Sequence, residues 1–131
     1  MDNLEINRTQ SSPGVTADAA AGNLRMVGDS YPENSFEFFL PIITWVNRYL
    51  EETDTSSSLT LDLHLLYLNT SSVKAMMDIF DLLEEAHGDS RPVAVNWYYD
   101  FENERIAELA EEFKEDCSFA FGIIQVGENK E

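Results

Sequence analysis

The stretch LTLDLHLLYLNTSSVKAMMDIFDLLEEAHG, residues 59–88, changes its hydrophobic period from that of a strand to that of a helix across one polar joint. Leu59, Leu61, Leu63 and Leu65 alternate with Thr60, Asp62 and His64, which predicts a strand with one buried face. The apolar run Leu65-Leu66-Tyr67-Leu68 then predicts a strand end buried on both sides, as in the centre of a parallel sheet. Asn69-Thr70-Ser71-Ser72 forms the joint, and a helix follows to about His87. Val73, Met76, Met77, Phe80 and Leu83 make its inner stripe, with Lys74, Asp78, Asp81 and Glu85 on the solvated side. Gly88 is its natural stop.

Downstream, Pro92 leads into a strand with Val93, Val95, Trp97 and Tyr99 on one face. A helix over about Asn103 to Lys114 places Ile106, Leu109, Ala110 and Phe113 on one stripe, and a strand from Phe119 to Val126 precedes an acidic tail. Upstream, the run GDSYPENS (28–35) is dense in turn formers, and Asn34 with Glu37 three positions on resembles a capping box. Phe36, Phe39, Leu40, Ile43, Val46 and Leu50 recur at helical spacing, and Phe38, Ile42, Trp45 and Tyr49 widen that face, so a helix covered on more than one side is expected. Pro41 within it either kinks the helix or marks its true start. Residues 51–58 read as a loop. In the first 30 residues, Leu4 to Ile6 and Leu24 to Val27 read as strands joined by a loose turn through Pro13, Gly14 and Ala19 to Ala21. The alternation predicts an α/β (α+β) sandwich: one domain over 1–131, with three to four helices on a four- to five-stranded mixed sheet.

The chain carries 25 acidic residues against 8 basic ones, a net charge of −17. That field repels phosphate backbones and anionic lipid, so neither nucleic acid nor a membrane surface is an expected partner. The acidic, polar start lacks a signal-peptide pattern and no apolar run reaches membrane-spanning length, so a cytoplasmic protein is expected. Cys117, the single cysteine, cannot form an internal disulfide, and its acidic neighbours should raise its pKa and leave it unreactive.

Chemistry concentrates at the joint. Thr70, Ser71 and Ser72 sit on the first turn of a helix, where free N–H groups and the positive end of the helix dipole favour an anion. Phosphate on one of these hydroxyls would be stabilised locally, with Lys74 one turn on as the nearby cation, and would change what a partner sees. The plain alternative is that Thr70 or Ser71 is a helix cap. Glu33, in the 28–35 loop, is a candidate member of the same surface. His64 and His87 have no Cys or Asp at ligand spacing, and no phosphate loop, nucleophile elbow or Ser/His/Asp order is present. No enzyme activity, metal or cofactor is expected.

The segments GDSYPENS (28–35), LLYLNTSSVKAMMDIFDLLEEAH (65–87) and NERIAELAEEFKEDCSF (103–119) together resemble the SiaC family of bacterial regulatory phosphoproteins. The resemblance implies a STAS-like fold and a phosphothreonine that falls on Thr70, set by an anti-sigma-like serine/threonine kinase and removed by a PP2C-type phosphatase. It also implies that the unphosphorylated form binds and activates a diguanylate cyclase, promoting cyclic-di-GMP synthesis and biofilm formation. Asn69, Ser71, Ser72, Lys74 and Glu33 are then the expected partner-binding residues. The alternative is an anti-sigma-factor antagonist of the same fold. Asn69 stands where such antagonists commonly have Asp, and Val73 where they often have Gly, which favours the SiaC family. A small-ligand-binding domain of that fold is a more distant possibility.

Overall fold

A computed structural model describes residues 1–127; the expected acidic tail lies largely outside the described residues. Six strands form one sheet in the order β1-β2-β3-β4-β5-β6, namely β1 (Leu4–Ile6), β2 (Gly14–Asp18), β3 (Asn23–Ser30), β4 (Leu59–Leu68), β5 (Val93–Asp100) and β6 (Ala120–Val126). The first three pair antiparallel and β3 to β6 pair parallel, each parallel step crossing over through a helix. These helices are α1 (Ser35–Glu52), α2 (Thr70–Gly88) and α3 (Glu104–Glu115).

The expected four to five strands become six because β2 lies in the segment read as a loose turn. Its inward positions are Val15 and Ala17, too short and too weakly apolar a pattern to stand out beside Pro13 and Gly14. Pairing with β1 and β3 supplies what local propensity does not. The turn-rich run is also shorter than it reads, since Gly28 to Ser30 complete β3.

Only one parity of each strand is buried: Val15 and Ala17, Leu24 and Met26, Leu59 to Leu65 by twos, Val93 to Trp97 by twos, and Phe121. These side chains share a single core with the inner faces of all three helices, so the helices cover one face of the sheet and the other is open. Polar side chains furnish the open face, where Asp62 accepts from Asn23 Nδ2 at 2.8 Å and Asn96 Nδ2 at 3.0 Å. Burial of the β4 end on both sides is therefore corrected: Leu65 and Leu68 are buried, but Tyr67 is 48% exposed. The phase change has a local cause. Gly28 pairs with Leu65 but Asp29 pairs with Tyr67, so Leu66 is an extra residue in a bulge, and Gly28 adopts φ +127° beside it.

α1 runs without a break through Pro41, which is exposed, so Pro41 does not mark the start of the helix. Asn34 caps α1 by accepting from Glu37 N at 3.0 Å. At the far end, Arg91 is 4% exposed and donates to the carbonyls of Leu50, Asp54 and Ser57 and to Thr53 Oγ1, closing the last turn of α1 and the loop after it. No helix among the described residues is long and apolar enough to cross a membrane.

Candidate functional site

Parallel strands β3 and β4 end side by side, and α1 and α2 leave from those ends, so two helix N-termini come together. Asn69 caps α2: its side-chain oxygen accepts from Ser72 N at 2.9 Å and from Ser71 Oγ at 3.2 Å. Ser71 Oγ is also 2.6 Å from Ser35 Oγ on the first turn of α1. The positive ends of two helix dipoles thus share one corner. Ser30, the last residue of β3, ties the corner down, since its carbonyl accepts from Asn69 N at 3.0 Å and its hydroxyl lies 2.8 Å from that of Ser72.

The three hydroxyls of the joint have different surroundings. Ser72 is fully buried with Ser30, so its expected place among partner-contacting residues is corrected: it secures the junction from within. Ser71 is exposed but engaged with Asn69 and Ser35. Thr70 is exposed, and its hydroxyl has no hydrogen-bond partner among the described residues. Lys74, expected to face Thr70, instead donates to Asp78 Oδ1 at 2.8 Å, and that bond raises its pKa. Glu33 is exposed in the short loop before α1, two residues from Ser35.

Residues expected in the core stand around this corner instead. Phe36 is 77% and Leu40 48% exposed, because a helix over a one-sided core buries only one stripe, here Phe39, Ile42, Trp45, Val46 and Tyr49. Met77 of α2, placed on the inner stripe by its spacing, is likewise exposed. Tyr31 and Tyr67 contact edge-to-face at 6.0 Å, Tyr67 lying three residues before Thr70. Between α1 and α2 runs a groove of about 360 Å³ walled by Phe36, Phe39, Leu40, Ile43 and Ala75, with Ser35 and Ser71 at one end and Lys74 and Asp78 along α2. Sequence reading placed the 28–35 loop, with Tyr31 and Ser35, beside the joint but missed Phe36 and Leu40 as site residues. The only signal for those two was an apolar stripe on α1 too wide for one core contact.

Other chemistry is sparse. Among the described residues no three His, Cys, Asp or Glu side chains are grouped to hold a metal. His64 Nε2 lies 3.3 Å from Asp100 Oδ1 on the open face of the sheet. Burial, then Glu84, Asp116 and Asp81, push the Cys117 thiol up to about 11, and its Sγ donates to Phe113 O.

Comparison with known proteins matches residues 6–126 to the SiaC family of regulatory phosphoproteins. An uncharacterized protein of Pseudomonas aeruginosa (strain UCBPP-PA14) is 62% identical over 123 residues, covering 94% of this chain and 96% of the relative. The solved structure of SiaC of P. aeruginosa has 58% identity and a TM-score of 0.90, covering 96% of this chain and 100% of that one. The structure of the diguanylate cyclase SiaD in complex with its activator SiaC from P. aeruginosa holds a chain 60% identical, TM-score 0.90, covering 94% of this chain and 99% of that one. The chain belongs to the SiaC family.

Proposed function

We propose, from membership of this family of regulatory phosphoproteins, that the chain is a non-enzymatic, cytoplasmic partner-switching regulator reversibly phosphorylated on Thr70. Its unphosphorylated form binds and activates a diguanylate cyclase, promoting cyclic-di-GMP synthesis and biofilm formation. An anti-sigma-like serine/threonine kinase adds the phosphate and a PP2C-type phosphatase removes it. The sheet with helices on one face, and the hydroxyl cluster at a β–α junction, support a STAS-like arrangement of this switch. A cyclase partner is supported by the complex in which the SiaC relative is the activator of SiaD.

The observation that carries the reading is the contrast among the three hydroxyls. Thr70 is exposed and unengaged, whereas Ser71 is bridged to α1 and Ser72 is buried. A kinase reaches Thr70 without disturbing the cap or the Ser30–Ser72 tie. Phosphate there gains from the nearby helix N-termini, so the fold tolerates it. A partner does not. About −1.5 to −2 charges then stand three residues from exposed Tyr67, which packs against exposed Tyr31, and covering them without a paired cation is costly. Lys74 offers little relief, being held by Asp78.

Peptide-level mass spectrometry of protein from its native host tests the modification. A phosphate increment of about 80 Da on Thr70, and none on Ser72, is the expected result. Phosphate on Ser71 in place of Thr70, or none under any growth condition, would overturn it.

A further inference from the structure

Parallel pairing brings the ends of β4 and β5 to one side of the sheet, so a third helix, α3, also begins beside the joint. Asn103 caps α3 by accepting from Ile106 N at 3.2 Å, and its Nδ2 donates to the carbonyl of Leu66, the bulged residue of β4, at 3.0 Å. The first turn of α3 is thereby tied to the strand end that runs into Thr70 four residues later. Between them lies a crevice of about 280 Å³, walled by Tyr67 and Leu68 of β4, Val73 of α2, and Arg105 and Leu109 of α3.

Thr70 belongs to this side of α2. A helix turns about 100° per residue, so Thr70 stands about 100° from Ser71, which faces α1 through Ser35, but only about 60° from Val73, which faces the crevice. Its side chain therefore leaves the helix on the α3 side of the Ser71–Ser35 bridge. Two cations are candidates to meet a phosphate there. Lys74 is the nearer round the helix, but it is ion-paired with Asp78 at 2.8 Å. Arg105 is exposed and makes no ion pair or hydrogen bond among the described residues. A cation on the first turn of a helix meets the positive end of the dipole, so an unpartnered Arg105 gives the unmodified fold nothing in return. Glu108 and Glu112 line the same crevice one and two turns further along α3, leaving Arg105 as its cation at the end nearest the joint.

We propose that Arg105 is the residue that receives the Thr70 phosphate. Once Thr70 is modified, the guanidinium crosses the mouth of the crevice and takes two phosphate oxygens as a bidentate pair. The inference rests on the phosphorylation of Thr70 argued above and adds what holds the phosphate. One guanidinium offsets about half of the −1.5 to −2 charges, so the cost to a partner that covers them is lessened but remains. The pair also joins α2 to α3 over Tyr67, so the phosphorylated surface differs in shape as well as in charge.

The test is a ³¹P NMR pH titration of the full chain carrying phosphothreonine at 70, as wild type and with Arg105→Gln, Arg105→Lys or Lys74→Gln. The second ionisation of the phosphate, near pH 6 when free, reads the pair directly. Arg105→Gln should raise it by about half a unit or more, because the dianion loses its guanidinium and faces Glu108 and Glu112 alone. Arg105→Lys should recover part of the shift, keeping the charge without the fork, and Lys74→Gln should move it much less. Unmodified Arg105→Gln should melt as wild type does, since the side chain is exposed and unpaired, so a folding defect does not imitate the shift. An unchanged phosphate pKa in Arg105→Gln would overturn the pair, and a larger shift in Lys74→Gln would assign the phosphate to Lys74 and overturn it too. Because the phosphothreonine is placed at 70 directly, either result leaves Thr70 modification itself to be judged by mass spectrometry of the native protein.

Discussion

Replacing Arg91 by alanine should remove about 3–5 kcal/mol of stability, because the guanidinium is buried and holds three carbonyls and a hydroxyl at the C-terminal end of α1 and in the loop after it. Its Nη1 donates to Asp54 O at 2.7 Å, Thr53 Oγ1 at 3.0 Å and Ser57 O at 3.1 Å, and Nη2 donates to Leu50 O at 2.7 Å. Each hydrogen bond from a charged donor contributes about 1.5–3 kcal/mol in mutational series, and the terms are not additive. A cavity of about 270 Å³ lined by Arg91, Leu50 and Thr55 lets water reach some of the freed carbonyls, which argues for the lower part of the summed range. The side chain also lies over the Tyr49 ring at 6.0 Å, and that packing goes with it. For a domain of this size the loss corresponds to a fall in Tm of roughly 10–20 °C, read by differential scanning calorimetry. Arg91→Lys keeps the charge but not the fork and should lose about half as much. A fall for Arg91→Ala below about 4 °C, or Arg91→Lys indistinguishable from wild type, would refute the assignment of this end of the helix to the guanidinium.

Four further outcomes are expected. Asn69→Ala removes the α2 cap, which should cost about 1–2 kcal/mol and speed amide exchange in the first turn of α2; unchanged exchange there would show that the cap is not what orders the switch segment. Cys117 should be alkylated at pH 8 far more slowly than an ordinary thiol, because its pKa is pushed up to about 11. With the folded value raised, the folded chain holds a proton that the unfolded chain loses above about pH 9, so stability falls as pH rises from there toward 11. Cys117→Ser should flatten that part of a Tm-against-pH curve, and a curve identical to wild type would contradict the shift. Glu33→Lys should leave the melt unchanged but alter affinity for SiaD or the kinase by several-fold, and unchanged affinity for both would remove Glu33 from the surface.

The junction at Thr70 was legible in the sequence because two local signals meet there. The period-two leucines end and a capping Asn begins a strongly patterned helix, and both signals act within a few residues. β2 was not legible, since Val15 and Ala17 are held by neighbours on either side rather than by their own pattern. The bulge at Leu66 was equally hidden, because it exists only as a mismatch between β3 and β4. The site suffered most from one ambiguity. Phe36 and Leu40 lie at helical spacing with true core residues, and spacing alone cannot separate a stripe that faces the sheet from one that faces a partner. Ser35 and Ser71 touch from 36 positions apart, so the bridge that distinguishes Thr70 from its neighbours required the fold.

The central claim is that phosphate on Thr70 controls cyclase binding, and one titration tests it most directly. SiaD is titrated with the unmodified chain, with the chain carrying phosphothreonine at 70, and with Thr70→Ala. The account predicts that the unmodified and Thr70→Ala forms bind alike and that the phosphorylated form binds at least about tenfold more weakly, with its fold intact. Equal affinity for all three forms, or tighter binding by the phosphorylated one, would contradict it.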